Sequence, residues 1–203
     1  FEWRAAWDSG ELVTFSSEVH IPPAKVEPGK TYRVRARFKD KTGRSSHWSL
    51  PAEFATSAPS IQPLQNFLRI TEIMYHPATN PDAEFIELQN IGRSSIALRD
   101  LRLTGGVRYD FTLADSEQLE AGQRIVIARN PELIRSGPGG RDAILVGPWD
   151  GKLSNSGEAI RLETTWGETV FSLEYNGNWH RQAAGRGLSL VLLNPTSALS
   201  DWS

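Results

Sequence analysis

The chain has 203 residues, 39% of them hydrophobic and 23% charged, with a formal net charge of −2 and no cysteine. That composition suits one large or two small soluble domains. It supplies no global field toward nucleic acid or an anionic membrane, and it excludes disulfides and thiolate chemistry. No apolar run reaches the ~20 residues that span a bilayer, and the start "FEWRAAW" carries neither a Met nor a leader pattern, as expected of a piece of a longer protein. The first strand expected in chain order is "KTYRVRARFKD". There Tyr32, Val34, Ala36 and Phe38 alternate with Arg33, Arg35, Arg37 and Lys39, the period of a strand with one covered and one wet face. The basic stripe reads as the solvated face. A nucleic-acid patch is the alternative, but base stacking needs aromatics on the basic side and here they point away from it.

Before that strand, "VEPGKTY" places a Pro-Gly turn ahead of Tyr32, the pattern of a tyrosine corner, in which a covered phenol bonds back to nearby backbone. After it, "DKTGRSSHWSLPAEF" reads as a Gly-containing turn into a further strand carrying Trp48. From "FEWRAAW" to "SHWSLPAEF", residues 1–56 resemble the C-terminal part of a fibronectin type III domain whose first strands are missing. The resemblance implies a partial β-sandwich with an open edge and with Phe1, Trp3, Val34 and Phe38 facing inward. Residues 57–66, "SAPSIQPLQN", hold two Pro and no charge, so an extended, semi-stiff linker is expected there.

Residues 67–203 continue as short strand patterns between turn residues. These are "FLRITEIMY", "EFIELQN", "LRLTG", "RYDFTL", "QRIVIA", "AILVG", "EAIRLE", "TVFSLEY" and "LSLVLL". One short helix is expected at "NPELIRS", where Asn130 can cap and Pro131 suits the first helical position. The Gly-rich "RSGPGGRD" lacks the Lys-Ser/Thr of a phosphate loop and reads as a mobile turn.

Glu72, His76, Asp82, Glu84 and Glu87 lie close together in "FLRITEIMYHPATNPDAEFIELQNIG", the raw material of a metal site or an acid/base pair. The spacing is that of neither a zinc site nor a calcium loop. Glu87 falls on the polar face of a strand, while His76 and Asp82 fall in a loop with two Pro. The cluster therefore reads as a strand pair with a polar loop, with a weak cation site in the 76–84 loop left open. No catalytic residue, metal site or cofactor is expected.

The order and spacing of "LRITEIMYHP", "EFIELQNIG", "IALRDLRLTGG", "EAGQRIVIARN", "GKLSNSGEAIRL", "FSLEYNGNW", "GRGLSLVLLNP" and "DWS" resemble a lamin tail domain of the bacterial type. The resemblance implies an all-β, immunoglobulin-like β-sandwich over 67–203, preceded by the partial fibronectin type III-like sandwich. It also implies a non-enzymatic structural or interaction segment of a secreted or cell-surface bacterial protein, with a role in adhesion or tethering. The expected partner is a protein or a cell-surface polymer, with no nucleic acid and no transmembrane segment in this stretch. A second reading is a carbohydrate-binding module, because Trp149, Trp166 and Trp179 all sit near turn residues where an indole face could stack on a sugar ring.

Overall fold

In the computed structural model, which describes residues 5–22, 25–111, 118–137, 144–196 and 202, the chain divides into two units, Phe1–Ser60 and Ile61–Ser203. In the first unit the alternation produces an antiparallel pair, β1 (Thr31–Val34) with β2 (Ala52–Ala55). Tyr32 opposes Phe54 on one face, their rings stacked at 5.5 Å, and Arg33 pairs with Glu53 at 2.7 Å on the other. The pairing runs on irregularly to a Lys39–Ser45 bridge, closed by a turn in which Asp40 Oδ1 accepts from Thr42 N and Arg44 N. The Tyr32 hydroxyl accepts from the Glu27 amide at 2.6 Å, the backbone bond that the Pro-Gly-Tyr pattern predicts. Its ring is only half-buried, and none of the described residues of this unit is buried: among them no second layer lies over the pair. Phe1 and Trp3, expected on the inner face, lie outside the described residues.

The second unit begins with a difference from expectation. The stretch read as an extended linker is helical over α1 (Gln62–Phe67), with Leu64 packed against the core and Gln65 Nε2 donating to the Thr169 carbonyl. Pro63 sits in the first turn, where a missing N–H leaves no hydrogen bond unmade.

Two five-stranded sheets follow. One is built from β3 (Leu68–Met74), β4 (Phe85–Asn90), β9 (Arg124–Ala128), β10 (Ile144–Val146) and β14 (Leu190–Val191), in the order β10-β9-β4-β3-β14. The other runs β11-β7-β6-β12-β13, from β6 (Leu101–Gly105), β7 (Val107–Asp110), β11 (Asp150–Gly151), β12 (Gly157–Thr164) and β13 (Thr169–Asn176). A further pair, β5 (Ile96–Ala97) and β8 (Gln118–Leu119), joins connecting segments. The helix α2 (Pro131–Arg135) is capped by Asn130, whose side chain accepts from the Glu132 amide, as its sequence implies.

Alternation places Ile86 and Leu88 of β4, Ile125 and Ile127 of β9, Leu101 and Leu103 of β6, and Ile160 and Leu162 of β12 in one filled core. In β3 the inward residues are Leu68 and Ile70, then Ile73, followed just past the strand's end by buried Tyr75. The pairing register shifts between Ile70 and Glu72, so one extra residue in a bulge resets which face points in. Asn90, fully buried, donates to the carbonyls of Ser94 and Leu119 and accepts from Gly92 N, which turns the chain out of β4 with no polar atom of its side chain unmatched. Thr112 and Leu113 of "RYDFTL", and the 138–143 part of the Gly-rich turn, lie outside the described residues. Among the described residues no helix is long and apolar enough to cross a membrane.

Candidate functional site at one end of the sandwich

The five acidic and imidazole side chains that stand close in sequence separate in space. Glu72 and Glu87 are cross-strand partners of β3 and β4 on the outer face of their sheet. Glu87 was expected to be solvated, yet its side chain is only 12% exposed; its Oε1 accepts from Thr71 Oγ1 at 2.6 Å and lies 3.4 Å from Arg124. The bulge at Thr71 lays that hydroxyl beside the carboxylate, which strand alternation alone does not anticipate. Glu72 accepts from Ser189 Oγ. Among the described residues no group of three or more His, Asp or Glu side chains is arranged to hold a metal ion.

Glu84, His76 and Asp82 instead lie in the loop joining β3 to β4. Asn80 caps a short 3-10 turn at Pro81–Ala83, accepting from Asp82 N at 2.9 Å, and the turn delivers Glu84 pointing inward at the start of β4. Glu84 is 1% exposed. Its Oε2 accepts from Leu153 N at 3.1 Å, Arg129 stands 3.8 Å away, and its Oε1 is buried with no hydrogen-bond partner. Arg129 is in turn held by Asp82 at 3.3 Å. One carboxylate thus ties β4 of the first sheet to the segment between β11 and β12 of the second.

Tyr75 and Tyr175 reinforce this end. The Tyr75 hydroxyl donates to the Gly177 carbonyl at 2.9 Å and that of Tyr175 to the Ser154 carbonyl at 2.6 Å, their rings 5.2 Å apart. Glu158 accepts from Ser154 N at 2.7 Å. Three connections, 75–84, 152–156 and 177–187, therefore converge, and between the first two opens a cavity of about 230 Å3 lined by His76, Thr79, Glu84, Lys152 and Asn155 together with Pro77, Ala78 and Pro81.

Burial pushes the Glu84 carboxyl above the ordinary glutamate range, against the opposing pull of the Leu153 amide, Arg129 and Lys152. Burial also raises Glu72, with the Glu87 charge adding to it. A group whose folded value is raised contributes stability that is full below its unfolded value, about 4.5, and is lost as pH rises through the raised one. Asp110 is opposite in sign: the hydrogen bond from Arg102 holds it low, so its contribution is lost only as pH falls below about 3.8. The melting temperature should therefore rise as pH drops from neutrality toward the ordinary glutamate range and fall at stronger acid. Glu72→Gln should flatten the rise, and a melting temperature that declines steadily below neutrality would contradict these assignments.

The tryptophans do not form a platform. Trp149 is 5% exposed and belongs to the core, which corrects its expected role as a sugar-stacking surface: the indole closes the sandwich beneath its loops. Trp179 is half-buried and packed on the core, and half-buried Trp166 donates from Nε1 to Glu168. Trp166 sits in the hairpin before β13 and Trp179 beyond its far end. An eight-residue strand separates them by about 25 Å.

Two facing sheets around a filled interior, with connections gathered at an end, define an immunoglobulin-like β-sandwich. The family model that matches is the Lamin Tail Domain, over residues 62–177, more than half of the chain, and the chain belongs to that family. Lamin tail domains are non-catalytic, immunoglobulin-like protein-interaction modules. No curated protein matches the chain.

Proposed function

We propose that this chain is a tethering segment of a larger secreted or cell-surface bacterial protein, non-catalytic itself, in which the lamin tail sandwich engages a protein or a surface polymer. The amphipathic β1–β2 pair belongs to a fibronectin type III-like spacer in the same chain. The observation that carries the reading is the convergence of three connections at one end of a sandwich whose interior is filled, pinned by the Glu84–Leu153 and Tyr75–Gly177 hydrogen bonds. A filled core leaves the surface to do the binding, and loops held by a rigid scaffold are where β-sandwiches recognise partners. The net charge of −2 speaks against nucleic acid as that partner. A platform of exposed tryptophans is the weaker reading, because Trp149 is buried and Trp166 and Trp179 lie at opposite ends of β13.

The test is to label the chain fluorescently and titrate it onto purified bacterial envelope. Saturable retention that unlabelled chain displaces is expected. Retention that never saturates, or none at all, would contradict the tethering role.

A further inference from the structure

The net charge of −2 hides an uneven distribution. Residues from 61 onward hold 13 Lys and Arg against 17 Asp and Glu, whereas residues 30–44 hold seven Lys and Arg against Asp40 alone. All seven cations are exposed. Beside the base of this stretch Lys25 and Glu27 offset each other, while Glu53 and Glu11 reach Arg33 and Lys39 at 2.7 and 2.8 Å. Setting Asp40, Glu53 and Glu11 against the seven cations leaves a net charge of +4. The two ion pairs join side chains that are roughly half exposed, so solvent screens them and an incoming anion can replace either carboxylate.

The hairpin draws this charge out into a line. Beyond β1 and β2 its two arms stay paired: Ser49 N donates to the Ala36 carbonyl at 2.8 Å, Ser46 N to that of Phe38 at 2.8 Å, and Asp40 N to that of Arg44 at 2.9 Å. Alternation along the extended run sets Arg33, Arg35, Arg37 and Lys39 on one side, each about 6.6 Å from the next at about 3.3 Å per residue. Lys41 and Arg44 continue the charge at the tip turn, and Val34 and Phe38 face the opposite side. Arg37 lies over Trp48, 4.6 Å from the ring centroid. That contact puts an indole on the basic side, where the sequence pattern placed none, and covers one of its faces.

These features discriminate among polyanions. An anionic bilayer holds a basic segment best when apolar side chains on the same side enter it, and here the two kinds lie on opposite sides. A single-stranded nucleic acid gains affinity by stacking bases on open aromatic faces, and Trp48 already carries a guanidinium. In a uronic acid polymer the carboxylates hang from rings and turn from side to side along the chain. A polyol phosphate carries its charge in its own backbone. A glycerol phosphate repeat has six backbone bonds, twice the three of an amino-acid residue, so when extended it advances by about 7 Å, the reach of two strand residues. Its anions therefore fall in register with guanidiniums on alternate residues, and each guanidinium can hold a phosphate through two N–H donors.

We propose that the basic side of this hairpin is a docking surface for a linear phosphodiester polymer without bases, a polyol phosphate, with the line from Arg33 to Lys39 and the tip residues Lys41 and Arg44 engaging successive phosphates. The surface belongs to the first unit. It goes beyond the binding end of the sandwich and does not depend on it.

The experiment is an NMR titration of the whole chain, 15N-labelled, with purified poly(glycerol phosphate). Separate arms use oligothymidylate and alginate matched in number of charges, and phosphatidylglycerol vesicles. Poly(glycerol phosphate) should shift amides between Arg33 and Trp48 saturably, and its affinity should fall about 20- to 50-fold between about 50 and 200 mM salt, the release expected for three or four phosphate contacts on a flexible chain. Lys41→Glu combined with Arg44→Glu should weaken binding by about tenfold or more at low salt. Arg181→Glu combined with Arg186→Glu changes the net charge equally at two exposed positions of the other unit and should weaken it by no more than about threefold. Lys41→Gln with Arg44→Gln should give a smaller loss of the same sign and serves if the reversed tip turn does not fold. No saturable shift, shifts confined to residues 61–203, equal losses from the two reversed pairs, or binding to oligothymidylate, alginate or the vesicles as tight as to poly(glycerol phosphate) would each overturn the proposal.

Discussion

Replacing Gly105 with alanine should destabilise the second unit by about 3 kcal/mol or more, enough to consume much of the stability of an ordinary domain. Gly105 ends β6 opposite Ile160, at a φ of +122°. A Cβ built there would lie 2.1 Å from the Ala159 carbonyl oxygen, which belongs to the backbone of β12 and cannot swing aside. The substitution therefore adds a steric collision between paired strands to a backbone conformation that L side chains resist. Gly122 is the internal control. It too has positive φ, +78°, but nothing stands within 4 Å of its would-be Cβ, so Gly122→Ala should cost only about 1 kcal/mol, the conformational part alone. Urea midpoints followed by tryptophan fluorescence compare the two. Equal losses would show that β6 and β12 are not packed as closely as described.

The second large effect is expected from dividing the chain. Residues 61–203 should unfold cooperatively as a monomer, whereas residues 1–60 should show no cooperative transition. Phe38 is 68% exposed, Val34 41% and Phe54 36%, and Tyr32 stacks on Phe54 with the same face uncovered. At about 25 cal/mol per Å2, leaving such side chains without a facing layer forfeits several kcal/mol, as much as a small domain's whole net stability. An isolated two-stranded pair is marginal in water, and the Arg33–Glu53 bridge on its polar face is exposed and adds little. The cut must fall before Ile61, because α1 carries Leu64 onto the core. A sharp, protein-concentration-independent transition from residues 1–60 alone would show that this unit holds its own core.

How much of this was legible in the sequence depends on how local each cause is. The alternating runs from "FLRITEIMY" to "LSLVLL" each hold a strand, because side-chain alternation in a half-covered sheet is written within a few neighbouring residues. Asn130 before Pro131 was legible for the same reason. The helix α1 was not: its prolines read as a linker, its N-terminus lacks a side-chain cap, and Leu64 earns its helical turn only by docking on strands that come later. The two-residue strands β5, β8 and β11 are too short to show a period. The bulge at Thr71 leaves a trace, since the apolar positions step from Ile70 to Ile73 rather than to residue 72, and that slip is what brings Thr71 against Glu87. Glu84 stood in the sequence as one of five polar candidates. What singles it out is Leu153, a residue 69 positions away, and nothing near Glu84 foretells that contact. Lys152 and Asn155 likewise become site residues only when two connections from different sheets meet.

In the proposed tethering role the lamin tail sandwich binds through the end where 75–84, 152–156 and 177–187 converge. Amide hydrogen exchange of the chain, with and without saturating bacterial envelope polymer, tests it most directly. Slowed exchange is expected at Thr79, Leu153, Asn155 and their neighbours, with the strand amides of β4, β6 and β12 unchanged. Protection confined to the opposite end, around Trp166, or spread evenly over both sheets would contradict it.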